Sequence, residues 1–187
     1  MNAAGACRSG GACYDRAMQT RIVTLAAVLC AGAVGAASLG VGMRIPPITL
    51  SDQHDVEGAV RSDTRCVLYS RDMGAAKVVN EVLANAPALL DAAGGVVVSD
   101  LSRMPRVITS LFALPALRKR PYRILLDRDG KATADWPFKK GAVTVLFLTD
   151  LTIARVDYVD SAETLRAALR QAAATPLPEQ RPTQGAS

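Results

Sequence analysis

Arg65-Cys66-Val67-Leu68-Tyr69-Ser70-Arg71-Asp72-Met73-Gly74-Ala75-Ala76-Lys77 is the stretch that decides the fold. Its first half is apolar and β-favouring, the composition of a central strand. From Gly74 onward the apolar residues Val78, Val79, Val82, Leu83, Ala86, Leu89 and Leu90 return at spacings of one, three and four. That spacing makes one stripe of a helix running toward Ala93. Pro87 interrupts the stripe, and because it lacks an N–H and crowds the preceding turn it predicts a kink or a split. The strand therefore runs into a turn at Arg71-Asp72 and then directly into a helix.

Outward from this unit the pattern repeats. Upstream, Arg44 to Asp55 contains Pro46-Pro47 and then alternating Ile48 and Leu50, the signature of an edge strand. Asp52 to Asp55 reads as a turn and Val56 to Val60 as a returning strand, so a hairpin precedes the main unit. Downstream, Gly94-Gly95 ends the helix and Val96 to Val98 is a short buried strand. A helix follows through Val107, Ile108, Leu111 and Phe112, with Ser102 or Asp100 as its cap and Pro115 ending or bending it. Tyr122 to Asp127 is the next strand, with Arg128-Asp129-Gly130 as a hairpin turn. Val143 to Leu148 and Ile153 to Val159 are two further strands joined tightly through Thr149 to Thr152. Ser161 caps a last helix buried through Leu165, Ala168, Leu169 and Ala172. Strands joined by helices, followed by an antiparallel pair, predict an α/β fold: a mixed sheet with helices on both faces.

The ends of the chain read differently. Arg16 and Arg21 precede an uncharged run from Ile22 to Gly42, with its apolar centre at Ile22 to Val34 and small residues at Ala33, Gly35, Ala36, Ala37 and Ser38. A basic stretch, an apolar stretch and a small-residue cut site describe a secretory signal over residues 1–37, with Met18 as a tidier start, and predict a periplasmic protein. The rival is a membrane anchor, but the run is rich in Ala and Gly and poor in Leu and Ile, so membrane attachment is expected only if it stays uncleaved. Residues 38–173 form the expected domain, and 174–187, rich in Pro and Gln, a disordered tail. With 4% aromatic residues, the core must be built from aliphatic side chains. The basic residues are scattered apart from Arg118-Lys119-Arg120, which reads as a helix-end complement to the dipole and leaves no nucleic-acid footprint.

This order of elements and two local anchors resemble the thioredoxin-like fold over about residues 44–173. The first anchor is Val67 to Lys77, similar to the strand, redox turn and helix opening of that fold. The second is Pro121-Tyr122-Arg123-Ile124-Leu125-Leu126-Asp127-Arg128-Asp129-Gly130, similar to its cis-proline, the strand after it and the hairpin turn. The chain looks most like short exported bacterial proteins of this kind that lack the redox motif. The resemblance puts Met73 and Ala76 where two redox cysteines would stand, and neither side chain forms a thiolate or a mixed disulfide. Cys7, Cys13 and Cys30 fall in the segment expected to be removed, which leaves Cys66, at the start of a core strand, as a small buried hydrophobe.

Other chemistry is thinly represented. His54 beside Asp52 and Asp55 has no second nitrogen ligand and reads as a turn. Asp127-Arg128-Asp129-Gly130 lacks the later ligands of a calcium loop. Some similar chains are called FAD/FMN-containing dehydrogenases, which would imply a flavin, yet no Gly-x-Gly-x-x-Gly follows a strand here and no cofactor is expected. The expected role is a binding or scaffold module that holds a protein or peptide in a groove between Met73 and Pro121, with Arg71 and Asp72 beside it. The alternative is an oxidoreductase, either a thiol peroxidase dependent on Cys66 or a flavin-linked enzyme.

Overall fold

The computed structural model describes residues 38–174, so the expected export segment and the expected tail beyond Ala174 lie outside them. A two-stranded antiparallel hairpin comes first, β1 (Ile48–Ser51) and β2 (Glu57–Val60). The main sheet has the order β5-β4-β3-β6-β7. Its strands are β3 (Cys66–Ser70), β4 (Gly95–Asp100), β5 (Ile124–Asp127), β6 (Val143–Thr149) and β7 (Thr152–Val159). Strands β3, β4 and β5 are parallel, while β6 runs antiparallel to β3 and β7 antiparallel to β6. The decisive stretch thus forms the middle strand, and all five residues of β3 are buried.

Helix α1 (Met73–Leu83) follows β3 and buries Ala75, Val79, Val82 and Leu83. The split expected at Pro87 is present: α2 (Ala88–Ala92) starts immediately after it. Helix α5 (Ala162–Ala174) buries Leu165, Ala168, Leu169 and Ala172, and the Ser161 hydroxyl accepts from Thr164 N at 3.3 Å, as a cap should. Between β4 and β5 the chain forms α3 (Arg106–Ile108), a π-helical turn (Thr109–Ala113) and α4 (Leu114–Arg118). Pro115 does not end this helix. It has no N–H to offer, and the wider turn, with Leu114 N bonded back to Thr109 O, absorbs the misfit. The helix also starts later than the sequence implies, at Arg106, because Asp100 accepts from Ser102 N at 2.8 Å and closes a turn instead of capping the helix.

Two cores lie on opposite faces of the sheet. One gathers Cys66, Leu68, Val97 and Val145 with Val79, Leu83, Leu165 and Leu169 of the helices. The other gathers Val67, Tyr69, Val98, Leu125 and Leu146 with Ile45, Ile48 and Val60 of the N-terminal region and with Trp136. Helices were expected on both faces, but no described helical residue enters the second core. A loop does the covering: Trp136 packs edge-on to Tyr69 with ring centroids 5.2 Å apart. The sequence had also suggested a hairpin at Arg128-Asp129-Gly130. Strand β5 instead has no antiparallel partner after it, and residues 128–142 cross to β6 on the far side of β3. Asp127 closes the start of that crossing, accepting from Gly130 N at 2.9 Å and from Thr133 N and Oγ1 at 2.9 and 2.8 Å.

Candidate functional site

Strands β3, β4 and β5 all end at one edge of the sheet, where open α/β folds receive ligands. The residues there are Ser70, Arg71, Ser99, Asp100 and Asp127, followed by Asp72 and Met73 at the start of α1. Asp72 is extended, with φ −140° and ψ 168°, and caps α1 by accepting from Ala75 N at 2.9 Å through Oδ1. Its other oxygen, Oδ2, accepts from Gly141 N at 2.7 Å. One carboxylate therefore ties the helix start to the loop before β6. Desolvation works to raise its pKa, but the N–H groups of Gly141, Ala75 and Gly74 favour the charged form, and the pKa lies below the usual carboxylate value.

Arg71 turns toward Asp100, whose side chain is 2% exposed; Nε lies 3.0 Å from Oδ2 but off-line for a hydrogen bond, so charge rather than direction holds the pair. The guanidinium stacks over Phe138 at 5.3 Å from the ring centroid. Ser70 and Ser99 hydroxyls pair with each other at 3.2 Å. The sole histidine, His54, sits in the hairpin turn, away from both serines. Met73, by contrast, is 71% exposed at the head of α1.

Of the four residues expected to line a groove, the structure brings three together: Arg71, Asp72 and Met73. Pro121 does not join them. It precedes β5, which runs parallel to β3 in the register Ile124 to Val97 and Val97 to Leu68, so Pro121 lies at the opposite end of the sheet from Met73. The segment entering the strand antiparallel to β3 is Lys139-Lys140-Gly141-Ala142, and this is what faces the α1 start. Gly141 has φ +79°, and its Cα is 3.4 Å from the position a Cβ on Gly74 would take. The sequence reading missed Lys140 and Gly141 because Pro121 leads a strand-like run that ends in Asp-Gly. Only the pairing of strands says which run follows the site.

Cys66 lies at the other end of β3, fully buried, its Sγ 3.9 Å from Ala93 O. Burial pushes its thiol up to about 11, only partly opposed by the Arg65 charge. It is neither accessible nor a thiolate at neutral pH. The acidic turn is occupied too: Asp52 pairs with Arg123 at 2.9 Å, and Asp55 with Arg118 and Arg128 at 3.1 and 2.6 Å. Gln53 between them accepts from Ile124 N and donates to Tyr122 O, docking the hairpin turn on the β5 edge. Among the described residues no group of three His, Cys, Asp or Glu could hold a metal ion.

No protein-family model matches the chain, and no curated protein matches it in sequence. Solved structures do. A hypothetical protein of Sinorhizobium meliloti 1021 aligns with TM-score 0.52 and 14% identity over 75% of this chain and 91% of that one. A Chlorobium tepidum protein provisionally named thiol:disulfide interchange protein DsbE aligns with TM-score 0.50 and 14% identity over 72% and 96%. Peroxidoxin BcpB of Mycobacterium tuberculosis aligns with TM-score 0.49 and 16% identity over 71% and 97%. The Chlorobium tepidum alignment, with the sheet order above, shows that this chain has an α/β thioredoxin-like fold.

Proposed function

We propose that this thioredoxin-like chain is an exported, non-catalytic module that holds an extended segment of a protein partner against the surface between the start of α1 and the Lys139–Gly141 loop. The observation that carries the reading is Met73, 71% exposed at the head of α1 where the fold's reactive cysteine would stand, beside a loop pinned by Asp72. A thiol cannot act there, because Ala76 holds the second position and the remaining domain cysteine is buried at the far end of β3. An exposed methionine is an adaptable apolar contact, and Lys139 and Lys140 add exposed positive charge beside it. The surface suits recognition of a backbone segment more than bond-making.

The test is a display selection for peptides that bind the full chain, followed by titration of the best binder. Met73→Asp should weaken that binding about tenfold or more while leaving the unfolding free energy within about 0.5 kcal/mol, as for an exposed site. The same preparation should neither reduce insulin disulfides nor consume peroxide. Turnover that disappears in Cys66→Ala, or a purified protein carrying a flavin absorbance, would overturn the reading in favour of an oxidoreductase.

A further inference from the structure

The segment joining β4 to β5 carries a second surface that the peptide-binding reading does not use. Val107, Ile108, Leu111 and Phe112 are exposed by 66, 48, 63 and 70%, although they fall one, four and five residues apart on a single helical face. The opposite side of the segment is the one that packs: Met104, Leu114 and Leu117 meet the first core, and Thr109 is buried. The helix is therefore seated correctly and still presents four large apolar side chains to water, a costly arrangement for a free surface.

Charge says what covers them. Residues 38–174 contain eighteen basic and fifteen acidic residues; six of the basic and none of the acidic lie within 101–126, leaving twelve against fifteen elsewhere. The segment is thus +6 on a remainder of −3. Arg118 and Arg123 are engaged with Asp55 and Asp52. Arg103 and Lys119 are exposed, and Arg120 half-exposed, on the same connection.

We propose that this face docks the protein on a bilayer surface rich in anionic phospholipid, with Leu111 and Phe112 entering the headgroup boundary and Arg103, Lys119 and Arg120 meeting lipid phosphates. An apolar helical face flanked by Arg and Lys is the pattern of an interfacial helix. Two copies of this chain joined symmetrically through the face would set two basic segments against each other, even with Arg118 and Arg123 paired, which disfavours self-association. Side chains this exposed protrude, and a bilayer accepts protrusions that a folded partner would need a matched cavity to receive.

The test is hydrogen exchange of the full chain with zwitterionic vesicles and with vesicles containing about a third phosphatidylglycerol. Reading exchange peptide by peptide separates this face from any attachment by the N-terminal run. Anionic vesicles should slow exchange across 103–120 at least about tenfold relative to zwitterionic ones, and 0.5 M salt should reverse the effect, since each basic residue near the surface adds substantially to binding. Leu111→Asp with Phe112→Asp should abolish the protection, and Arg103→Glu with Lys119→Glu should weaken it without changing the unfolding midpoint. Equal exchange in both vesicle types would overturn the proposal. So would protection that appears without vesicles, either as protein concentration rises (a second copy) or on adding polyglutamate (a soluble polyanion).

Discussion

Asp72 holds two elements with one carboxylate, and its removal is the sharpest single-residue test of how the site is built. Asp72→Ala deletes a helix cap, which costs about 1 kcal/mol, and the Gly141 tether, a charge-assisted bond of comparable size. We expect urea unfolding to report a loss of about 2 kcal/mol, with Gly141 N exchanging faster in the native protein. Cys66 gives the opposite kind of test. Native protein should resist thiol reagents until denaturant is added. Its folded pKa is raised above the unfolded value, so burying the neutral thiol contributes stability below about pH 9 that is lost as pH rises toward about 11. The Cys66 contribution to the slope should approach ~1.4 kcal/mol per pH unit in that window and be absent from Cys66→Ala, which keeps the alkaline loss due to Tyr69 and Tyr122, both also raised by burial. The burial of Cys66 was legible in the sequence as an isolated thiol within an apolar run. The cap at Asp72 was not, since the sequence placed that residue with Arg71 beside a groove, and the two part company: Asp72 caps α1 while Arg71 pairs with Asp100.

At the level of elements, the turn between β6 and β7 shows how burial outweighs backbone strain. Asp150 and Leu151 both have positive φ, +48° and +62°, as a two-residue hairpin turn requires. Leucine there costs about 1–2 kcal/mol relative to glycine. Its side chain is 2% exposed in the second core, and that burial is worth about 2–3 kcal/mol. Leu151→Gly should therefore destabilise, by about 1 kcal/mol in thermal or urea unfolding, despite relieving the turn. The loop carrying Trp136 is a larger case. It covers the face where a helix was expected, and Trp136→Ala should cost about 3–5 kcal/mol. A single tryptophan in a crossing loop is a weak sequence signal; its position over Tyr69 follows from a chain crossing that only the sheet order reveals.

For the molecule as a whole, acid is the condition that separates its parts. Asp52 and Asp72 have pKa values below the ordinary carboxylate value, desolvation being outweighed by backbone N–H groups and, at Asp52, by Arg123; Asp55 is lowered chiefly by Arg128. Groups depressed in the folded state contribute stability above pH ~4 that is lost as pH falls through their folded values. The hairpin turn and the α1 start should loosen together below pH ~4, seen as faster exchange in 52–58 and 139–142 while the β3–β4 amides stay protected. Asp52→Asn should remove part of the hairpin's response and leave that of Gly141 intact.

The amino-acid sequence determined the inventory of this protein: a central strand feeding a helix, the break at Pro87, the closing antiparallel pair and helix, and a helix opening, Met73-Gly74-Ala75-Ala76, that carries no thiol. Each of these is written in local periodicity, in a proline's missing N–H, or in which atoms a side chain carries. Tertiary structure alone decided which strand neighbours which. A run such as Ile124–Asp127 has the same composition whether it lies at the sheet edge or beside β3. That placement moved Pro121 away from the site, brought Gly141 into it, and put a loop where a helix was expected. Pairing depends on long-range backbone hydrogen bonds, and the residues show which face of a strand is buried but not which strand lies beside it.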